Sequence, residues 1–232
     1  TNEYIKGKGF DDPNSAVKLL DFKGNYQEIP FVIDTALISN FEKPMASGTF
    51  KSQFPLEKLS KTIDKDLLVF TKGNADVSLK FKADIVNFEI TKPIFSGLVN
   101  VKNGDVIYVP RKLRFKNTNV ALDFTEKELL IKNITLQSGK SVILMEGDIQ
   151  NFLNLYYTDP ERIVLNWKVK SPQLHLAEFL GFLGSRKSKQ MVKQSKNKNT
   201  FSDNLNFLFE KSNVAMNVQV DKFYYNKFYA TD

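Results

Sequence analysis

Apolar and polar residues alternate with a period of two over most of this chain. In Val77-Leu79-Phe81-Ala83-Ile85 the intervening positions are Ser78, Lys80, Lys82 and Asp84, which predicts a strand with one apolar and one solvated face. Ile163-Leu165-Trp167-Val169 repeats the pattern with Asn166 and Lys168 between, and Val99 and Val101 flank Asn100 in the same way. Strands of this kind belong to antiparallel sheets that face water on one side. The apolar phase moves from odd positions (Leu113, Phe115) to even ones (Val120, Leu122, Phe124) around Asn117. It moves again between Leu129/Ile131 and Ile134/Leu136, at Lys132-Asn133. Both places predict bulges or bends.

Turn signals divide the pattern. Asn103-Gly104 lies between two alternating runs and predicts a tight hairpin. Glu126-Lys127 and Ser138-Gly139-Lys140 predict two more reversals, giving a meander of consecutive antiparallel strands. Two short helices are expected. One follows Pro55, with Glu57 in its first turn; the other opens at Ser171-Pro172, with Ser171 as N-cap and Gly184 as stop. The second is apolar on nearly every side but is too short to span a bilayer, and it predicts a plug over one end of the sheet.

An internal repeat is written into the same pattern. PFVIDTALISNF at 30–41 and SVILMEGDIQNF at 141–152 share Ile38/Ile149, Asn40/Asn151 and Phe41/Phe152. Each is followed by a strand pattern and then a proline, Pro55 or Pro172. The alternating run from Val77 has its counterpart in Met216-Val218-Val220. The order of elements is kept while the offset grows, as insertions into one of two related units would produce. The second unit stops at Asp232, so the sequence reads as an excerpt from a longer array.

Composition narrows the function classes. With 42% hydrophobic and 25% charged residues in 232, the chain has ordinary globular content. Its first residues lack the apolar core of a signal peptide, and no apolar run is long enough to span a bilayer as a helix. There are no cysteines, which excludes disulfides and thiolate chemistry. The net charge of +7 raises anionic partners. Of the 33 basic residues, however, the arginines are only Arg111, Arg114, Arg162 and Arg186, and lysine is poorly suited to bidentate reading of bases. No nucleic-acid partner is expected. The segment GSRKSKQMVKQSKNKN carries six basic residues and no acid, and is expected to be a solvated connector.

Catalytic patterns are missing. His175 is the single histidine, on the predicted second helix, where a helix-end packing role is expected. Acid pairs such as Asp64/Asp66 and Glu126/Glu128 fall in apparent turns. No glycine-rich phosphate loop exists, and neither a metal nor a cofactor is expected. What remains is a long meander with one apolar face. If two sheets close on one another, that face is the core of a β-sandwich. If one sheet curls without closing, it is an open groove that must hold something apolar. Periodicity leaves both open.

The stretch from Phe95 to Tyr157 resembles the AsmA/TamB-like family of bacterial envelope proteins, in its Bacteroidetes-type form. The resemblance is carried by Gly97, Asn103-Gly104, Phe115, Leu122, Leu130-Ile131, Gly139, Gly147 and Asn151-Phe152-Leu153. The SPQLHLAEFLGF step after it fits too, and the likeness extends with interruptions from Val17 to Tyr229. It implies a mainly β body of repeated antiparallel meanders, forming a curled sheet or open groove with two short helices. Residues 1–72 would be the end of one repeat, with a short helix near 55–62. A second repeat would cover 73–184, with a helix over 172–183. A basic linker over 185–200 and the start of a further repeat over 201–232 would follow. It also implies a periplasmic location, inner-membrane anchoring through a segment outside this sequence, no catalytic residues, and phospholipid as partner, with other envelope proteins as further partners. Acyl chains would lie against Val77, Leu79, Phe81, Val99, Val101, Ile163, Leu165, Trp167 and Val169. Plain core packing is the alternative role for each.

Overall fold

The computed structural model describes residues 3–152, 162–180 and 213–231. It is mainly β, with twelve strands in a single sheet among the described residues. β1 (Ala16–Tyr26), β2 (Ile29–Ser39), β3 (Met45–Pro55), β4 (Leu68–Val86), β5 (Glu89–Tyr108), β6 (Leu113–Phe124), β7 (Glu128–Ser138), β8 (Ser141–Gln150) and β9 (Val164–His175) pair antiparallel in chain order. β10 (Asn213–Val220) and then β11 (Lys222–Tyr225) run parallel to β9, and β12 (Phe228–Thr231) closes a hairpin with β11. Among the described residues β1 pairs with β2 alone, so the sheet is open and forms neither a barrel nor the sandwich that the sequence left possible.

Register is adjusted where the sequence changes phase. The ladder slips between Ile131 and Ile134 in β7, and between Lys116 and Asn119 in β6, where Asn117 has a φ of 50°. Each slip inserts one unpaired residue and so returns the following apolar side chains to the same face. The reversals at Glu126-Lys127 and Gly139-Lys140 are present. Thr125 accepts from the Lys127 and Glu128 N–H groups through its hydroxyl, and Ser138 pairs directly with Ser141.

Three local expectations are corrected. Asn103-Gly104 does not turn the chain: β5 runs through it, and Asn103, at a φ of 53°, sits in a bulge. Gly73, at a φ of 110°, lies against Gly104, where a Cβ would come within 2.6 Å of the Gly104 Cα. The two backbones meet there with Leu56 packed over both. A left-handed Asn suits a bulge in a long strand as well as it suits a turn. The expected helix over 172–183 is strand up to His175, followed by a 3-10 turn at Leu176–Phe179; its last residues, 181–183, and the expected stop at Gly184 lie outside the described residues. Ser171 caps no helix; it is buried, and its hydroxyl donates to the Val142 carbonyl. Cross-strand pairing with β8 overrides the local helix signal of Ser-Pro. The helix expected near 55–62 is a 3-10 turn at Leu56–Lys61.

Both halves of the sequence repeat show a strand ending in an asparagine at positive φ (Asn40 and Asn151), then a strand, then a 3-10 turn. The third elements differ. β4 is antiparallel to β3, whereas β10 is parallel to β9. β4 also crosses the expected boundary at residue 72 without interruption. The expected linker over 185–200 lies outside the described residues.

Two small clusters supply most of the buried apolar surface. Phe54, Leu56 and Ala75 pack with Phe70, Val77 and Val101 at one end. Ile131, Ile149, Phe152, Ile163 and Leu165 pack with Leu122, Phe124 and Trp167 at the other. The β1–β2 turn is tied to the first cluster's 3-10 turn by the Lys61–Glu28 ion pair, whose hydrogen bond and charge hold the Glu28 carboxyl below its usual value. Leu56→Ala is expected to cost about 2–5 kcal/mol, because Leu56 is almost fully buried at the Gly73/Gly104 crossing. Urea unfolding of the variant against the parent chain checks this.

Candidate functional site

In an antiparallel ladder, residues directly opposite one another share a face, so the register identifies which side chains form one surface. One such row crosses nine strands: Phe22, Ile33, Phe50, Leu79, Gly97, Phe124, Leu129, Ile149 and Leu165. At a strand spacing of about 4.8 Å it runs for roughly 38 Å. A parallel row reads Val77, Val99, Leu122, Ile131, Gly147 and Trp167, and a third reads Val101, Val120, Ile134, Met145 and Val169. Phe81 opposes Phe95 beside the first row. Eight of the nine residues singled out in the sequence therefore stand on one face. Ile163 precedes β9 and is fully buried in the cluster that it forms with Ile131, Ile149 and Leu165 of these rows.

Burial divides these residues. Leu165 is only 2% exposed and, like Ile163, is packed core. Val77, Leu79, Phe81, Val99, Val101, Trp167 and Val169 are half-buried, with part of each side chain reaching the surface. The residues that join the β4–β5 group to the β9 group are Leu122, Phe124, Leu129, Ile131 and Ile149, and β1 to β3 extend the face through Phe22, Ile33 and Phe50. The same alternation carried the signal for all of them. Only the register reveals that they are contiguous.

Glycines let rings lie flat on this surface. Phe31 covers Gly24, Phe81 covers Gly48, and Trp167 leans over Gly147, with each ring 2.6–3.2 Å from where a Cβ would stand. Phe31 also meets Phe22 at 5.9 Å and stacks on Phe50 at 5.5 Å. Such ring-over-glycine pairs pin register and smooth the face. Two open depressions, of about 590 and about 600 Å³, lie on the other side of the sheet, one lined mainly by Lys132, Glu146, Asp148 and Lys168, the other by Val32, Asp34, Lys51 and Asp76.

The opposite face is polar and paired across strands. Gln53 donates to Asp76 at 3.0 Å and Asn166 to Asp148 at 2.9 Å, while Lys132 lies 3.8 Å from Asp123 and Lys168 3.9 Å from Glu146. These exposed ion pairs contribute little stability each. They do keep one side of the sheet wet.

The one histidine sits in a structural latch. Glu178 accepts from the Lys140 and Ser141 N–H groups and from the Ser141 hydroxyl, at 2.6–3.1 Å. The Ser141 oxygen in turn accepts from the His175 N–H at 2.8 Å. Ser141, His175 and Glu178 are thus brought together, but the hydroxyl proton points to the carboxylate and the histidine ring takes no part. That ring stacks on Tyr224 at 4.4 Å and pairs with Gln173. Burial, and then Tyr229 beside it, raise the Tyr224 phenol above its usual value. The latch fastens the β7–β8 turn to the end of β9, and His175 stands at the start of the 3-10 turn without a capping side-chain bond. Among the described residues, no group of three or more His, Asp or Glu gathers to hold a metal, and no helix is long and apolar enough to cross a membrane.

No family model, curated protein or solved structure matches this chain.

Trp167 is the single tryptophan, so its emission reports on this face directly. Gly147→Ala would set a methyl 2.0 Å from the Asn166 carbonyl oxygen and 3.2 Å from the Trp167 ring. The expected outcome is a loss of about 1–3 kcal/mol and a red-shifted tryptophan emission, read by fluorescence-monitored unfolding.

Proposed function

We propose that this chain is part of an AsmA-type bacterial envelope protein that holds phospholipid acyl chains along the apolar face of its open sheet, in support of lipid transport or outer-membrane assembly. The observation that carries this reading is the continuous apolar row from Phe22 to Leu165, in a sheet that does not close over it. An apolar surface of this length, left part-exposed, calls for an apolar occupant. Val77, Leu79, Phe81, Val99, Val101, Trp167 and Val169 are the proposed contacts. Ile163 and Leu165 are packed core at the β9 end of the same face.

The mechanism needs no directed bonds. Burial of each methylene contributes about 0.8 kcal/mol wherever along the row it lies. A chain can therefore move by small steps that exchange one apolar contact for another, while its headgroup stays in water. Because the row runs across the strands, movement along it passes from strand to strand and, in a protein with further repeats, from one repeat to the next. The polar rear face keeps the body in aqueous surroundings, consistent with a periplasmic setting and anchoring by a segment outside this sequence. No cofactor and no catalytic step enter this reading.

A second reading, a lipid-free scaffold for envelope assembly, draws on the free edge. Among the described residues β1 pairs with β2 alone, Leu20 and Tyr26 are exposed on it, and such an edge accepts another protein's strand. Native mass spectrometry with lipid extraction separates the two. Purified from a bacterial host, the chain is expected to carry phospholipid, and Leu79→Glu is expected to lose it while circular dichroism stays unchanged. A lipid-free chain that takes up no added phospholipid would favour the scaffold.

A further inference from the structure

At one end of the sheet, β4 and β5 outrun their neighbours. The last pairing of β4 with β3 is Asp84 opposite Met45, and the first pairing of β5 with β6 is Gly97 opposite Phe124. Among the described residues, 89–96 therefore pair with β4 alone. The hairpin that projects reverses through Asn87-Phe88, at φ of 52° and 62°. This is the two-residue turn whose second position favours glycine, since a left-handed backbone presses Cβ toward the following carbonyl. Here that position holds phenylalanine, and its side chain is fully exposed. The Gln27-Glu28 turn has the same backbone, but its side chains are employed: Thr62 donates to Gln27, and Lys61 pairs with Glu28. Phe88 is strained and solvated at once, a combination that marks functional positions.

The residues around it share the character. Ile85 opposes Ile90 on the face continuous with the apolar rows, while Val86 and Ile94 lie on the other face. Val86, Ile90 and Ile94 are all exposed. In the adjoining loop, whose Pro44 carbonyl accepts from the Ile85 N–H, Phe41 is exposed as well. The exposed charges nearby are mixed in sign: Lys43 and Lys82 against Glu42, Asp84 and Glu89.

From this geometry we propose that the β4–β5 tip is a membrane-docking prong that inserts into the surface layer of a lipid bilayer. A groove on a protein covers one face of a strand pair, whereas this tip exposes Ile90 on one face, Val86 and Ile94 on the other, and Phe88 at its apex, with Glu89 opposite Val86 as the charge nearest the turn. The four residue steps from Asp84 to Phe88 reach about 13 Å, enough to place Phe88 at the boundary between headgroups and acyl chains. Charges of both signs around the tip, Glu89 beside the apex among them, mean that apolar burial, rather than attraction to anionic lipid, holds it there. The prong stands whether or not the sheet's face carries lipid.

Flotation of the 232-residue chain with neutral phosphatidylcholine vesicles, at low and high salt, tests this. The parent chain is expected to float in both. Phe88→Gly is expected to lower partition about tenfold or more, with the thermal midpoint held or raised, because Asn-Gly is the favoured turn. Phe88→Trp is expected to retain binding and to show blue-shifted emission on vesicles beyond that of the parent chain. Co-purified lipid is expected to be the same in Phe88→Gly as in the parent, which separates this test from that of the sheet's face. The proposal is overturned if the parent chain does not float, or if Phe88→Gly floats equally well. Binding confined to anionic vesicles and abolished by salt overturns it in favour of the lysine-rich surface. A tip-dependent dimer without vesicle binding overturns it in favour of a contact between copies.

Discussion

Lateral backbone pairing is the constraint on which everything else in this protein depends. A sheet that closes on nothing has few fully buried side chains, so the ladder of N–H to carbonyl bonds between successive strands must hold the strands in place. Among the described residues β1, β10 and β12 each pair with one other strand, and the remaining strands have partners on both sides. The buried cluster around Leu56 sits where that ladder is disturbed, at the Gly73/Gly104 crossing, and packs over the break in pairing. The cluster around Ile163 packs across β7 to β9, where the start of β9 is paired regularly.

The apolar face is a consequence of register. A slip of one residue would turn every following side chain to the wet side. The bulges at Asn117 and at Lys132-Asn133 are therefore what make Leu122, Ile131 and Val120, Ile134 collinear across β6 and β7. Glycines at 24, 48 and 147 then leave room for Phe31, Phe81 and Trp167 to lie across neighbouring strands. Surface continuity, on which the proposed lipid path depends, thus comes from a few irregular positions in an otherwise regular ladder.

Function follows from what the sheet does not cover. One face has paired polar groups and is at rest in water. The other is apolar, part-exposed and long, and at one end it runs into a hairpin that exposes apolar side chains on both sides. A surface that could hold acyl chains and a tip that could enter a bilayer lie on the same pair of strands, β4 and β5. The latch of Glu178, Ser141 and His175 at the far end has the residue types of a hydrolase, yet its hydrogen bonds run the wrong way for one and serve to fix β9 against the β7–β8 turn.

The sequence by itself determined the β character, the one-sided strands, the two phase changes and the turns at Glu126-Lys127 and Gly139-Lys140, because a period of two and local turn chemistry are written in neighbouring residues. It misplaced Asn103-Gly104 and Ser171-Pro172, where the local signal is shared by two structures: an asparagine at positive φ serves a bulge or a turn, and Ser-Pro starts a helix or sits in a strand. The turns at Gln27-Glu28 and Asn87-Phe88 carry no glycine and gave no signal at all. Tertiary structure alone decided that the sheet stays open, that β10 lies parallel to β9, and that Phe22 and Leu165 end one continuous row. Those outcomes depend on which strand lies beside which, and pairing between distant residues leaves no mark in the local pattern.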